Sequence, residues 1–353
     1  MKISLLIAVY NAEAWLGECL ESLLAQIHTD WEALCVDDAS TDGSWTILQQ
    51  YAQHDERFHL FHLTENQGQA HARNVALSHA EGELICMLDA DDTLSPDALA
   101  LANETFALHP QVDIAVLHLL LAYPDGRLIP HPANLDHPLA GPEAFTLALT
   151  WRLHGLYVVR AALHQRFPYD ESCRLYADDN TSRLHYLHAR KVVPCQGQYL
   201  YRQHTASSTH ALTPSRFLYL EANLSLKRQL DALAESDELG LGKAFWTRTF
   251  RTLEEHRWRN LIAHYILFQQ YKTSFTPQER ADIEARLQRI FSTIERRRLP
   301  LRFFLRPRFL PWPSYRLFAL WQDACTHLSS PFRHKKQSPQ TPCPQGIDRN
   351  GKR

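Results

Sequence analysis

Three carboxylates in four residues stand at Asp89, Asp91 and Asp92. They follow the apolar run 84–88 and precede a predicted helix start at Pro96. Because like charges repel, such a cluster is stable mainly when a hard divalent cation, a positively charged partner or solvent relieves it. Oxygen ligands favour Mg²⁺ or Mn²⁺, which keep open positions that a nucleoside diphosphate can fill. The alternative interpretation is an acidic turn that caps a helix.

A second acidic segment, 37–43 (DDASTDG), follows the apolar run 32–36. Asx turns and helix capping explain it without a ligand, whereas a carboxylate at the rim of a sheet could also accept the imide N–H of uracil. The segment 66–74 (NQGQAHARN) precedes the acidic cluster, and the first apolar run ends in AVYN at 8–11. Together, these segments would face one crevice.

The elements that must position these segments alternate between apolar runs and helical patterns. Strands are predicted over 3–9, 32–36, 84–88 and 114–121, and helices over 12–26, 44–53 and 69–80. This alternation predicts an open, doubly wound, mostly parallel α/β sheet with flanking helices. Ligands of such sheets bind beyond the carboxyl ends of the strands.

The C-terminal part of the chain is expected to be helical. Helical patterns cover 217–235, 243–272 and 277–298. Residues 286–336 contain 12 Lys and Arg against two acids, interleaved with aromatic side chains, which suits an interfacial membrane contact or a helical cap with a solvated basic face. The predicted domains are a ligand-binding and catalytic domain over 1–214, a helical region over 215–328 and a disordered tail over 329–353.

Composition excludes several classes of protein. Among the 353 residues, 45% are hydrophobic and 22% charged, which argues against a disordered, collagen-like or multi-span membrane chain. The net charge of −2 conceals an asymmetry, because residues 1–150 carry four basic and 22 acidic side chains and the remainder has a net charge of +16. An acidic half binds phosphates poorly unless a cation intervenes, whereas the basic half can dock on polyanions or an anionic membrane. Nucleic-acid binding is disfavoured, since no motif for it is present.

The location is expected to be cytoplasmic, with an optional peripheral contact to the inner face of the membrane. The seven cysteines form no C-x-x-C pair or metal-binding spacing, which favours reduced thiols. The first apolar run is short and ends at Asn11 without a cleavage site, so a strand is favoured over a secretion signal. No run of 18 apolar residues occurs.

Six segments in order carry a resemblance to a known family. They are AVYNAEAWLGECLESLLAQ (8–26), VDDASTDGS (36–44), NQGQAHARNVAL (66–77), LDADD (88–92), YADDNTSRLHYL (176–187) and YLYRQHTASST (199–209). The chain resembles family 2 inverting glycosyltransferases with the GT-A fold, of the type that builds bacterial cell-surface glycans. The resemblance covers roughly residues 1–210.

The resemblance implies a nucleotide-sugar site. Ala8 and Tyr10 would line the nucleoside pocket, and Asp38 would take the uracil edge. Arg73 would lie near the base or the diphosphate, with a helix-surface arginine as the alternative. Asp89 would face the ribose.

The resemblance also implies a metal site. Asp91 would ligate a Mg²⁺ or Mn²⁺ ion that bridges the diphosphate, with Asp92 nearby. Arg202 and His204 could reach the diphosphate or the metal, and His204 is the further candidate ligand. The serines at 207–208 could donate a hydrogen bond.

The acidic pair Asp178 and Asp179 matches the catalytic segment of the family. Inversion by direct displacement needs one carboxylate to deprotonate the acceptor hydroxyl. Asp179 matches the catalytic base, and Asp178 could orient the acceptor, although the family often has Glu at that position. A helix start is the alternative interpretation.

The expected activity is metal-dependent transfer of a sugar from a nucleotide-sugar donor, a UDP-sugar in the first instance, to a hydroxyl of a glycan or a lipid-linked glycan. One alternative is a polyprenyl-phosphate sugar transferase, whose anionic acceptor requires no strong base. Another is a non-catalytic sugar-nucleotide-binding protein. The sequence leaves the sugar and the linkage open.

Overall fold

The computed structural model describes residues 1–204 and 213–329, with side chains up to 326. Contacts divide the chain into two compact units, Met1–Thr205 and Ala206–Arg353. The serines at 207–208 and the predicted tail beyond 329 lie outside the described residues.

The N-terminal unit is built on one ten-stranded sheet. Its strands are β1 (Ile3–Val9), β2 (Trp31–Asp37), β3 (Phe58–His62), β4 (Leu84–Met87), β5 (Thr93–Leu94), β6 (Ile114–Ala122), β7 (Leu128–Pro130), β8 (Leu139–Ala140), β9 (Tyr157–Arg160) and β10 (Lys191–Arg202). The spatial order is β3-β2-β1-β4-β9-β6-β10-β5, with β7 paired to β6 and β8 paired to β10. The predicted strands are present, whereas the short, half-exposed β3 was not predicted.

The sheet is open and its long pairings are mostly parallel. Strand β1 lies parallel to β2 and β4, β2 lies parallel to β3, and β6 lies parallel to β10. Strand β9 runs antiparallel to both of its neighbours, β4 and β6. The predicted fold class, a GT-A-type α/β sheet, is confirmed. The inserted antiparallel strand makes the sheet a mixed one.

Helices flank this sheet. They are α1 (Leu16–Leu24), α2 (Ser44–His54), α3 (Gln69–Ser78), α4 (Ala98–Leu108), α5 (Gly141–Ala148), α6 (Ala161–Arg166) and α7 (Ala177–His188). The central strands are apolar on both faces because helices cover both, and Leu5, Ile7 and Leu84 are fully buried. The continuous apolar runs in the sequence follow from this two-sided burial.

The C-terminal unit is helical, as predicted. It contains α8 (Tyr219–Ser236), α9 (Gly242–Tyr271), α10 (Pro277–Ser292) and α11 (Tyr315–Ser329). The third predicted helix was expected to reach residue 298, but α10 ends at Ser292 and short 3₁₀ turns follow, while α11 was not predicted. Within the described ranges, no helix is both long and apolar enough to cross a membrane.

Candidate active site

Polar residues leave β1, β2 and β4 at one edge of the sheet. The parallel register pairs Val9 with Asp37 and Leu6 with Met87, so the carboxyl ends of all three strands meet there. Asp38 follows β2 directly, and the cluster of three aspartates follows β4 after Leu88. The structure therefore brings the two acidic segments together, as the strand order predicted.

The three carboxylates of the cluster converge. Asp89, Asp91 and Asp92 each offer an oxygen within 4.8 Å of the others. Burial raises the pKa of Asp92 well above its usual range, and the charges of Asp89 and Asp91 raise it further. Such crowding of oxygen ligands is what a hard divalent cation relieves. Within the described ranges these are the only three acidic or histidine residues that meet at metal-binding distance.

Asp92 is held in place by β10. The Tyr199 hydroxyl donates to one Asp92 oxygen at 2.9 Å, and the Arg202 backbone N–H donates to the other at 2.7 Å. The same hydroxyl accepts the backbone N–H of Asp89 at 3.1 Å. Tyr199 is a site residue that the sequence analysis missed, although it opens one of the six segments. It is a positioning residue, because it fixes two members of the aspartate cluster at once.

We expect Tyr199→Phe to lower the free energy of unfolding by about 1–3 kcal/mol, because a buried hydrogen-bonding group loses its partner, and to weaken metal-dependent nucleotide binding. Tyr186→Phe is the matched control, since the Tyr186 hydroxyl is also buried but donates to the backbone oxygen of His154 at 2.5 Å. Chemical denaturation and UDP titration of both variants test this. Equal losses of nucleotide affinity in both would exclude a specific positioning role for Tyr199.

Arg73 of α3 is buried and pairs with Asp89. Its side chain is only 1% exposed, and its guanidinium donates to an Asp89 carboxylate oxygen. The Tyr169 ring lies 5.4 Å from the guanidinium carbon. The surface-arginine alternative is therefore wrong. Burial raises the pKa of the Asp89 carboxyl against the opposing effect of Arg73, so this arginine keeps part of the acidic cluster compensated.

Asp38 anchors the loop that leads into α3. Its two carboxylate oxygens accept the backbone N–H groups of Gln67 and Gly68, both at 2.8 Å. Gly68 has a φ of +95°, a conformation that favours glycine. The carboxylate is almost fully buried. Its contact with a uracil edge stays a prediction, and the observed bonds give it a structural role in shaping the crevice.

The end of β1 is open to solvent. Tyr10 is 52% exposed, and Ala8 is partly buried. Asn11 has a φ of +50°, and its side-chain oxygen accepts the Thr41 backbone N–H at 2.8 Å, which ties this strand end to the second acidic segment. The nucleoside-pocket assignment of Ala8 and Tyr10 stays a prediction, and their accessibility is consistent with it.

Arg202 and His204 return from β10 to the aspartate cluster. His204 Nε2 lies 2.9 Å from an Asp91 oxygen, and its ring stacks on Trp15 at 4.2 Å between centroids. Arg202 donates to the Asp91 backbone oxygen at 2.8 Å and to the Glu18 carboxylate at 2.5 Å. Trp15 and Glu18 were not predicted. They lie in the first of the six segments, and no spacing in the sequence links them to β10.

Asp178 and Asp179 lie in the first turn of α7, after a left-handed residue at Tyr176. Asp178 lines a small cavity with Met87 and Tyr169, so the start of α7 lies beside the end of β4. After burial and the nearer charges of Arg73 and Asp91, the charge of Asp178 also acts on Asp89 and raises its pKa. Burial, and next the neighbouring Asp178, raise the pKa of Asp179 to about 8. A carboxyl with a pKa near the working pH is suited to proton transfer.

Part of the chain is similar in sequence to known glycosyltransferases. Residues 4–155 match the family model of Glycosyl transferase family 2. A stretch of 97 residues is 45% identical to the putative teichuronic acid biosynthesis glycosyltransferase TuaG of Bacillus subtilis, covering 28% of this chain and 38% of that protein. A stretch of 119 residues is 43% identical to the poly(ribitol-phosphate) beta-glucosyltransferase of Bacillus spizizenii, covering 33% of this chain and 19% of that protein. The chain thus spans well under half of the length of these relatives.

A likeness to solved structures extends over nearly the whole chain. The crystal structure of S. aureus TarS 1-349 in complex with UDP-GlcNAc superposes with a TM-score of 0.68 and covers 93% of this chain and 92% of that one. The sequence identity is 20%, so the likeness establishes the fold.

Proposed function

Because residues 4–155 match the family model of Glycosyl transferase family 2, we propose that the chain transfers a sugar with inversion from a UDP-sugar to a hydroxyl group of a cell-surface glycan or lipid-linked glycan. The observation that carries this proposal is that Asp178, in the acidic pair that opens α7, lines one small cavity with Met87 at the end of β4, just before the aspartate cluster. The aspartate cluster would bind the nucleotide, and the acidic pair would accept the proton of the acceptor hydroxyl in the same reaction.

The donor site would lie at the carboxyl edge of the sheet. The exposed Tyr10 at the end of β1 would contact the nucleoside, and Asp89 would face the ribose. The complex of TarS with UDP-GlcNAc, a protein of the same fold, supports a UDP-sugar as the donor. Arg202 and Arg73 are cations whose partners are acidic residues of the site, so either could exchange a carboxylate for a diphosphate oxygen.

The aspartate cluster fits a divalent cation. Its three carboxylates provide oxygen ligands within 4.8 Å of one another, and their mutual repulsion and burial leave negative charge to compensate. Asp91 and Asp92 would hold Mg²⁺ or Mn²⁺. His204, which contacts Asp91, would be the further candidate ligand. A cation bound there would supply positive charge to the diphosphate leaving group. This also reconciles an anionic substrate with the acidic N-terminal half.

Asp179 would act as the general base. The acceptor hydroxyl oxygen forms a bond to the anomeric carbon on the side opposite the diphosphate, and its proton passes to the Asp179 carboxylate. The bond between that carbon and the diphosphate oxygen breaks, and its electron pair leaves with UDP. The raised pKa makes Asp179 a stronger base than an ordinary aspartate. Asp178 would orient the acceptor and tune this pKa.

Calorimetric titration of UDP into the purified chain, with and without Mn²⁺, tests the donor site. We expect saturable binding that is much tighter with the metal. If UDP fails to bind under every metal condition, the UDP-sugar assignment is wrong. Transfer and hydrolysis assays with a panel of UDP-sugars then identify the donor.

The C-terminal unit would bring the enzyme to a membrane that carries lipid-linked acceptors. Exposed apolar side chains, including Phe304 at 51% and Leu305 at 84%, follow the 3₁₀ turn that begins at Leu301. Arg302 and Arg306 lie beside them in sequence. Basic residues around exposed apolar ones suit the interface of an anionic bilayer, which here would be the cytoplasmic face.

We expect the double substitution Phe304→Glu and Leu305→Glu to reduce binding to vesicles that contain anionic phospholipid by about tenfold or more, because two apolar side chains lose their burial in the interface. Leu108→Glu, an exposed leucine of the N-terminal unit, is the matched control. Co-sedimentation with vesicles measures the effect. Unchanged co-sedimentation of the double variant contradicts the membrane contact, and UDP titration verifies that the donor site is intact.

A further inference from the structure

A long groove runs beside the first turns of α9 in the C-terminal unit. One cavity of about 870 Å³ lies between Lys243, Thr247 and Arg251 on one side and the segment 297–301 on the other. A second cavity of about 550 Å³ shares Lys243, Thr247 and Arg251 and adds Arg248. The two cavities therefore form one continuous depression, the α9 groove. Its size exceeds what a single phosphate or monosaccharide fills.

The α9 groove is strongly basic. Its cationic lining residues are Lys243, Arg248, Arg251, Arg297 and Arg298. Across the described part of the chain, no carboxylate pairs with Lys243, Arg248 or Arg251. Arg297 and Arg298 contact the same carboxylate oxygen of Glu295, at 3.1 and 2.9 Å. The groove thus has cations available for a ligand.

Asp237, the one acidic side chain among the lining residues, leaves the groove positively charged because five cations line it. Asp237 accepts the Trp246 indole N–H at 2.8 Å with one oxygen, which also accepts the Leu241 backbone N–H. Its other oxygen accepts the Gly242 backbone N–H at 3.2 Å. The carboxylate is therefore used to cap the start of α9, and it is satisfied there.

The spacing of the cations suits a chain of charges. Lys243, Thr247 and Arg251 recur every four residues, so they form a row along one side of α9. The ends of this row are about 12 Å apart along the helix axis, at 1.5 Å per residue. A polymer with an anionic group on successive units can contact both ends of the row while the side chains stay extended, whereas one compact anion requires both long side chains to bend towards each other.

The shape and floor of the groove narrow the class of polymer. Trp246 and Phe250 line it but are almost fully buried, and Arg298 lies over the Phe250 ring at 4.4 Å. Proteins bind single-stranded nucleic acids largely by stacking the bases on exposed aromatic side chains, and these buried rings offer no such face. A bilayer surface cannot follow a concave groove, whereas a thin polymer of sugar or polyol units can lie in it.

We propose that the α9 groove binds a linear acidic glycan, a polymer whose sugar or polyol units carry phosphodiester or carboxylate groups. The groove would bind the acceptor polymer through residues other than the catalytic ones. That the bound polymer is the acceptor rests on the proposed function, while the binding itself does not.

Fluorescence titration of the full chain with labelled oligomers of glycerol phosphate of increasing length tests the proposal. We expect affinity to rise with length, and the double substitution Lys243→Ala and Arg251→Ala to weaken binding of the long oligomer by about 100-fold, at about tenfold for each lost charged contact. Arg228→Ala removes an exposed cation of α8 outside the groove and is the matched control. Thermal melting verifies that all variants fold.

Several results would overturn the proposal. The first is an equal loss of oligomer affinity in the groove variant and the control variant. The second is binding of neutral dextran or inorganic phosphate that is as tight as binding of the oligomers. The third is equally tight binding of duplex DNA or anionic vesicles that the groove substitutions also weaken. UDP titration of the same preparations separates the two hypotheses. A groove variant that binds UDP normally but no longer binds the oligomer supports glycan binding by the groove. If the wild type does not bind UDP, only the proposed function is contradicted.

Discussion

Asp179→Asn lowers the rate of sugar transfer by about 10²–10⁴-fold, the usual contribution of a positioned general base. The amide cannot accept the proton of the acceptor hydroxyl. UDP binding is retained, since Asp179 lies outside the aspartate cluster after β4. Initial rates of transfer and UDP titration measure the two effects. A variant that keeps most of its transfer activity would instead favour a phosphate acceptor, as in a polyprenyl-phosphate sugar transferase.

The pH dependence separates this role from a structural one. With a pKa of about 8, the Asp179 carboxylate becomes available as pH rises, so kcat/KM increases towards a plateau above pH 8. Asp178→Asn is the matched control, because it removes a neighbour that raises this pKa and shifts the profile to lower pH. If Asp178→Asn abolishes transfer and Asp179→Asn does not, the assignment of the base is reversed.

The free energy of unfolding also depends on the protonation of Asp179. The native state keeps the Asp179 proton up to a pH of about 8, whereas the unfolded chain loses it near pH 4. The native state therefore binds more protons between these values, and its contribution to the free energy of unfolding falls as pH rises through this window. Asp179→Asn removes that contribution, so its melting temperature declines less between pH 5 and pH 8.

Asp91→Asn removes the metal-dependent part of UDP binding. We expect the affinity for UDP in the presence of Mn²⁺ to fall at least 10–100-fold. Mutation of a residue that only hydrogen-bonds to a metal ligand can already cause a loss of this size. The physical reason is that one of three converging oxygen ligands becomes a weaker, neutral one. Calorimetric titration with and without Mn²⁺ measures it.

Thermal melting provides an independent readout for Asp91. A bound ion stabilises the native state, so Mn²⁺ raises the melting temperature of the wild type and not that of Asp91→Asn. Asp97→Asn is the control, since Asp97 is an exposed carboxylate outside the cluster that accepts the Ser95 hydroxyl at 2.6 Å. Equal Mn²⁺ responses in all three proteins would show that the cluster is not the metal site.

The sequence predicted the strands that carry the site because those signals are local. Continuous apolar runs at 3–9 and 84–88 indicate strands buried on both faces, and observed β1 and β4 match them. The half-exposed β3 lacks such a run, and the burial of its five residues follows no regular alternation. The end of α10 was also predicted wrongly, because the basic run that follows the helix is itself compatible with a helix.

The candidate site was predicted as a set of residues, and its internal partners were not. Tyr199 holds Asp92 from 107 residues away, and the Arg73 pairing with Asp89 buries a cation that the sequence alone could equally place on a helix surface. Neither spacing nor composition reports which side chains share a hydrogen bond across such distances. Those choices depend on how the elements pack.

Local patterns in the chain were enough to predict where β1, β2 and β4 end and that acidic residues follow β2 and β4. The alternation of apolar runs and helical patterns predicts parallel strands, whose carboxyl ends lie at one edge of the sheet. Only the folded chain shows that β9 enters antiparallel between β4 and β6, that β10 brings His204 to Asp91, and that Asp178 at the start of α7 lines one small cavity with Met87 of β4. The physical reason is that strand formation responds to neighbouring residues, whereas convergence of distant side chains depends on burial and pairing that exist only in the folded chain.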